Sequence, residues 1–72
     1  MQLAQIKTIK KALPHGAQKQ IARELGISHN FVSMVLNGHA KSQRVLEAAI
    51  KKAEEAKRER LEFVHRVTRL TA

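Results

Sequence analysis

QKQIARELGISHNFVSMVLNG, residues 18–38, holds two short helical patterns separated by a single glycine. Ile21, Ala22 and Leu25 recur at helical steps. Gly26 stands where a left-handed residue closes a helix, a conformation that glycine enters without steric cost. Ser28 offers its hydroxyl to the unsatisfied amides of the following turn, so a second helix is predicted from that cap through Leu36, ended by Asn37-Gly38. Small or apolar residues fall where two steeply crossing helices must touch: Ala22 allows close approach, Ile27 anchors the turn, and Val32 with Val35 packs the second helix back onto the first. This leaves Ser28, His29, Asn30, Ser33, Met34 and Asn37 on the outward side of the second helix. The plain alternative is a three-helix core in which Gly26 only caps a helix.

Upstream, Leu3, Ile6, Ile9 and Leu13 recur at three- and four-residue steps opposite Lys7, Lys10 and Lys11, which predicts an amphipathic helix over residues 2–13. The three lysines read as a solvated face. Pro14-His15-Gly16 ends the helix, since proline disfavours helical geometry in the residue before it. Downstream, Ser42 is a further N-cap, and Val45, Leu46, Ala49, Ile50 and Ala53 form the apolar stripe of a fourth helix. Residues 51–62 mix both charges, with Glu54 and Arg58 at attractive i, i+4 spacing and Glu55 and Glu59 at repulsive spacing, so the helix is expected to continue there as a solvated rod. Near the end, Leu61, Val64 and Thr68 form one apolar stripe, and Phe63, Val67 and Leu70 form an overlapping one. No strand-like alternation, repeat or low-complexity tract is present. The fold class expected is all-α: a small bundle of four helices, the last extended into an amphipathic C-terminal tail.

Seventy-two residues allow one small core, and much of the 43% hydrophobic content is alanine, with two Phe and neither Trp nor Tyr. Fourteen Lys and Arg against six Asp and Glu give a net charge of +8, which points to a polyanionic partner. The lack of cysteine removes disulfides, thiolate metal sites and cysteine nucleophiles. His15, His29, His39 and His65 have no clustered spacing, so no metal and no cofactor are expected. Catalysis is not expected either: there is no glycine-rich phosphate loop, no nucleophile beside a base, and no paired carboxylates in a chain this short. Residues 1–13 lack the apolar run of a signal peptide and no stretch reaches the length of a membrane span, so a soluble, intracellular protein is expected.

The segment QIARELGISHNFVSMVLNG, residues 20–38, resembles the helix-turn-helix of the phage repressor and Cro family. Its ending, VSMVLNG followed by SQRVLEAAIKKA, is also similar to the DNA-binding headpiece of the lactose-repressor family. The likeness covers roughly residues 1–53 and divides the chain into a DNA-binding domain, 1–53, and a helical extension, 54–72; the tail from about Ala56 to Ala72 matches neither family. It implies a lambda-repressor-like fold, binding to double-stranded operator DNA, usually as a dimer, and a recognition helix in the major groove.

Carried over position by position, the resemblance places base readers on Ser28, His29 and Asn30, one turn later on Ser33 and Met34, and at the helix end on Asn37. The side chains have suitable chemistry, since Asn30 can pair donor and acceptor with adenine, His29 can donate to guanine or a phosphate, and Met34 can touch a thymine methyl. Gln18 matches the family glutamine that meets a phosphate or steadies the readers, and Lys19, Lys41, Ser42 and Arg44 are further phosphate candidates. Phe31 departs from the small or polar residue usual there, with two readings open: packing under the fourth helix, or lying on the DNA backbone.

The expected role is that of a small transcriptional repressor of phage or mobile-element type, cytoplasmic and nucleoid-associated, with no small-molecule effector and no membrane. The C-terminal stripes point to a homodimer, against which stand packing onto the first helix and fraying. Two other roles are weighed: an accessory protein of recombination or partition, and a basic interaction adaptor without sequence preference. The scarcity of aromatic side chains argues against stacking on RNA or single strands.

Overall fold

The caps that the sequence announces organise the chain. The computed structural model describes residues 2–71, as four helices: α1 (Leu3–Ala12), α2 (Ala17–Leu25), α3 (His29–Leu36) and α4 (Gln43–Thr71). Among the described residues there is no strand. At the start of α1, Gln5 Oε1 accepts the Gln2 N–H at 3.0 Å. The helix ends at Ala12, because Leu13 precedes Pro14 and takes the extended conformation, φ −75° and ψ 136°. It is therefore one residue shorter at each end than the apolar pattern predicts.

The end of α2 is closed by a pair of backbone bonds. Gly26, at φ 68°, donates its N–H to Arg23 O at 3.4 Å, and Ile27 donates to Ala22 O at 3.0 Å, which satisfies two carbonyls that a bare helix end leaves unpaired. The same geometry ends α3, where Gly38 donates to Val35 O at 3.1 Å and His39 to Met34 O at 2.8 Å. Between them Ser28 Oγ accepts the Phe31 N–H at 3.0 Å, so α3 is capped at both ends despite its eight residues. Ser42 Oγ does the same for α4, accepting from Val45 N–H at 3.3 Å. Replacing Gly26 by alanine is expected to cost roughly 1–2 kcal/mol, since an L residue there is held in the left-handed region. A Cβ at that point meets nothing within 4 Å, so the cost is conformational and not a clash. Urea unfolding followed by circular dichroism reads the loss.

Packing concentrates where α2, α3 and the first two turns of α4 meet. Ile21, Val32, Val35, Leu36, Val45 and Ala49 are fully buried, and Ala22 nearly so. The small side chain of Ala22 sits in the cluster formed by the two crossing helices. Phe31 is half-buried against this cluster, so part of its ring packs on the core and part stays accessible. From α1 only Ile9 and, just beyond its end, Leu13 lean on the cluster, and no α1 residue is buried.

α4 outruns the body it is built on. Its 29 residues span about 43 Å at 1.5 Å per residue, whereas its buried side chains, Val45 and Ala49, lie in its first two turns. Residues 57–71 are exposed throughout. The radius of gyration is consequently 14.3 Å, above the roughly 11 Å of a compact chain of this length, and the longest dimension is 48 Å. One strut ties α4 to α2: Lys52 Nζ donates to Glu24 Oε1 at 2.8 Å. This hydrogen bond, and then the charge of Glu24, raise the lysine pKa above its usual 10.5. Its contribution is therefore present below pH 10.5 and fades as pH climbs through the raised value. Further along, the i, i+4 ion pair that forms is Arg66 with Glu62, at 3.6 Å. No described helix is long and apolar enough to cross a membrane.

Candidate nucleic-acid interface

The two faces of α3 have opposite fates. Val32, Val35 and Leu36 are withdrawn completely into the core, while Ser28, His29 and Asn30 at the amino end stand exposed, with Met34 38% exposed one turn later. The Ser28 hydroxyl oxygen is already an acceptor for the helix cap, yet its proton is free to donate outward. Asn30 Nδ2 lies 4.0 Å from Met34 Sδ, a weak contact that leaves the amide oxygen free.

Ser33 and Asn37 are placed differently. Both are half-buried, and the Asn37 amide is occupied: Nδ2 donates to Ser33 O at 2.9 Å and to Ser33 Oγ at 3.3 Å, and Oδ1 accepts from Lys10 Nζ at 2.6 Å. The Lys10 bond ties the carboxyl end of α3 to the last turn of α1, and the two Ser33 bonds brace that end from within α3. Asn37 thus has a structural occupation that its position in the sequence does not disclose.

The phosphate candidates fall into two groups. A shallow concavity of about 340 Å³ brings Gln18 and Lys19, at the start of α2, beside His29 at the start of α3, with Lys10 and His15 closing it from α1 and the following turn. Cationic and amide donors from three elements therefore converge next to the exposed end of α3. Sequence reasoning assigns Lys10 to a solvated face and gives His15 no role. Only the folding of α1 against α3 brings them here, and no local pattern carries that signal. Lys41 and Ser42 instead line a larger groove of about 610 Å³ with Leu3 and Ile6 of α1 and Leu46 and Ile50 of α4, and Arg44 is exposed nearby on α4.

The chain carries +8 in all, and no group of three or more His, Cys, Asp or Glu that could hold a metal ion occurs among the described residues. Geometrically, the exposed end of α3 is a narrow ridge of hydrogen-bonding side chains flanked by positive charge. A ridge of that kind can present donors and acceptors to base edges while its flanks meet phosphates. No protein family, no curated protein and no solved structure matches this chain.

Proposed function

We propose that α2 and α3 act as a helix-turn-helix and that the protein is a small transcriptional regulator, a repressor in its simplest form, which reads duplex DNA with α3 in the major groove. The observation that carries this reading is the division of α3: one face is wholly buried and the other offers Ser28, His29, Asn30 and Met34 beside a cationic concavity. Base edges are read by Ser28, His29, Asn30 and Met34, while Ser33 and Asn37, bonded to each other and through Asn37 to Lys10, hold the end of the helix behind them. Gln18, Lys19, Lys41, Ser42 and Arg44 meet the backbone, with Lys10 and His15 added to that set. The partner is double-stranded DNA, and the exposed end of α4 pairs two copies so that a two-fold protein meets a two-fold operator. Repression follows from occupancy alone.

The exposed α4 favours a second reading, a basic adaptor that grips nucleic acid by charge and assembles through its tail. The two differ in one property. Selection from randomised duplex DNA near physiological salt is expected to return a half-site or palindromic consensus that disappears when His29 and Asn30 are both replaced by alanine. Recovery of no consensus, with binding that only fades as salt rises, overturns the reader in favour of the adaptor.

A further inference from the structure

The face of α4 that closes the core does not stop where the core stops. Leu46 and Ala49 are the first two residues of a three-four alternation that runs on through Ala53, Ala56, Arg60, Phe63, Val67 and Leu70. An alternation of this period keeps one seam of a helix facing a neighbour. The body occupies the seam as far as Ala49, which is fully buried. Beyond it Ala53 and Ala56 are half-buried, and Phe63, Val67 and Leu70 are 65%, 42% and 88% exposed. The protein's own body cannot reach them, because the helix carries them away from it.

We propose that this seam pairs with the same segment of a second copy in antiparallel orientation, in the register that sets Arg60 opposite the partner's Phe63. The register follows from size and charge. With Arg60 against Phe63, Ala56 faces Val67 and Ala53 faces Leu70, so that each small residue receives a large one along about 27 Å of helix. The guanidinium of Arg60, the one polar group on the exposed seam, lies over an aromatic ring, a favourable cation–π placement. Glu59 and Arg66 hold equivalent flanking positions seven residues apart, and this register brings each beside the other's counterpart, giving two ion pairs across the two-fold axis. Arg66 is 67% exposed and is held within 3.6 Å of Glu62 on its own helix, so its charge already faces outward.

A parallel pair loses all of this. Arg60 then abuts the partner's Arg60, Lys52 flanks the partner's Lys57, and Glu59 flanks Val64, which pairs no opposite charges and opposes like ones. The overlap begins at Ala53 and ends at Leu70, immediately past the Lys52–Glu24 strut, so the partner's helix end arrives where the body begins. The pairing deepens the dimer of the proposed function but does not depend on DNA reading.

Because the chain has no cysteine, the register can be read by disulfide trapping without background and without DNA. The variant carrying Ala56→Cys and Val67→Cys together is expected to oxidise to a covalent dimer with 56–67 links in its peptide map, while each single variant stays uncrosslinked. Cross-linking of either single variant with itself overturns the antiparallel register. A chain that is monomeric in sedimentation equilibrium across a concentration series overturns self-pairing. A charge swap guards against a variant that merely misfolds. Arg66→Glu is expected to weaken the dimer several-fold and Glu59→Arg with Arg66→Glu to restore it, whereas indifference of the dimer to both overturns the assigned contacts. Retained sequence-specific binding by a monomer would sink the pairing and leave the DNA reading intact.

Discussion

Replacing Ile21 by alanine is expected to remove roughly 2–5 kcal/mol of stability, a loss that among single truncations of the core only the equally buried Leu36 should match. Ile21 is fully buried on α2 and belongs to the cluster that includes Val32, Val35 and Leu36 of α3 and Val45 of α4. Deleting its branched side chain forfeits the transfer of those carbons from water and opens a cavity at the junction of three helices. Chains below about 80 residues rarely hold more than about 3–5 kcal/mol from a single core, so the loss is comparable with the whole. A fall in melting temperature of roughly 10–35 °C follows from an unfolding entropy of about 2.1 cal/mol/K per residue. Leu70→Ala, at a side chain 88% exposed, is the control, expected to leave the melting of the body unchanged in dilute solution. Equal melting of the Ile21 variant and the unaltered chain would mean that the body is not held together at this junction.

The helices were legible wherever a boundary is made by chemistry close in sequence. Gly26 and Ser28 lie two residues apart and fix the end of α2 and the start of α3, because a left-handed glycine and a hydroxyl cap each act on backbone within one turn of themselves. Pro14 acts on one neighbour only, and that neighbour, Leu13, is where the apolar pattern overran the helix. The fourth helix was legible as a continuous rod, since nothing after Ser42 breaks it. Contacts between distant elements were not legible. Lys10 to Asn37 spans 27 residues and Lys52 to Glu24 spans 28. Nothing in the local pattern of a lysine distinguishes a partnered one from a solvated one.

The same limit applies to the candidate interface. Exposure of Ser28, His29 and Asn30 could be read from periodicity, because the residues that alternate with them on α3 had to be buried. The concavity that gathers Lys10, His15, Gln18, Lys19 and His29 could not, since it is assembled from three elements. Phe31 stands between the two cases. Its apolar ring leaves both a packed and a DNA-facing reading open, and the fold half-buries it against the core cluster with the rest of the ring accessible.

Asn30→Ala and Lys19→Ala are expected to fail in different ways, and the difference separates a base reader from a phosphate contact. If Asn30 pairs with a base, its loss costs about 1–3 kcal/mol at one position of the selected site, or roughly 5- to 150-fold in affinity, and leaves binding to scrambled DNA unchanged. Lys19 lies at the start of α2 in the cationic concavity, where a phosphate contact reads no sequence. Its loss should weaken selected and scrambled duplexes alike and reduce the slope of log affinity against log salt by about 1. Fluorescence anisotropy with both duplexes over a salt series measures each quantity. Asn37 supplies the internal control, because its amide is occupied by Ser33 and Lys10. Asn37→Ala should therefore lower the melting temperature and leave base preference alone. A variant of Asn37 that melts normally but changes the preferred base would mean that the amide leaves Lys10 on binding, which would join α1 to the reading surface. Loss of the same factor on selected and scrambled DNA for Asn30→Ala would instead make α3 a charged ridge without a code.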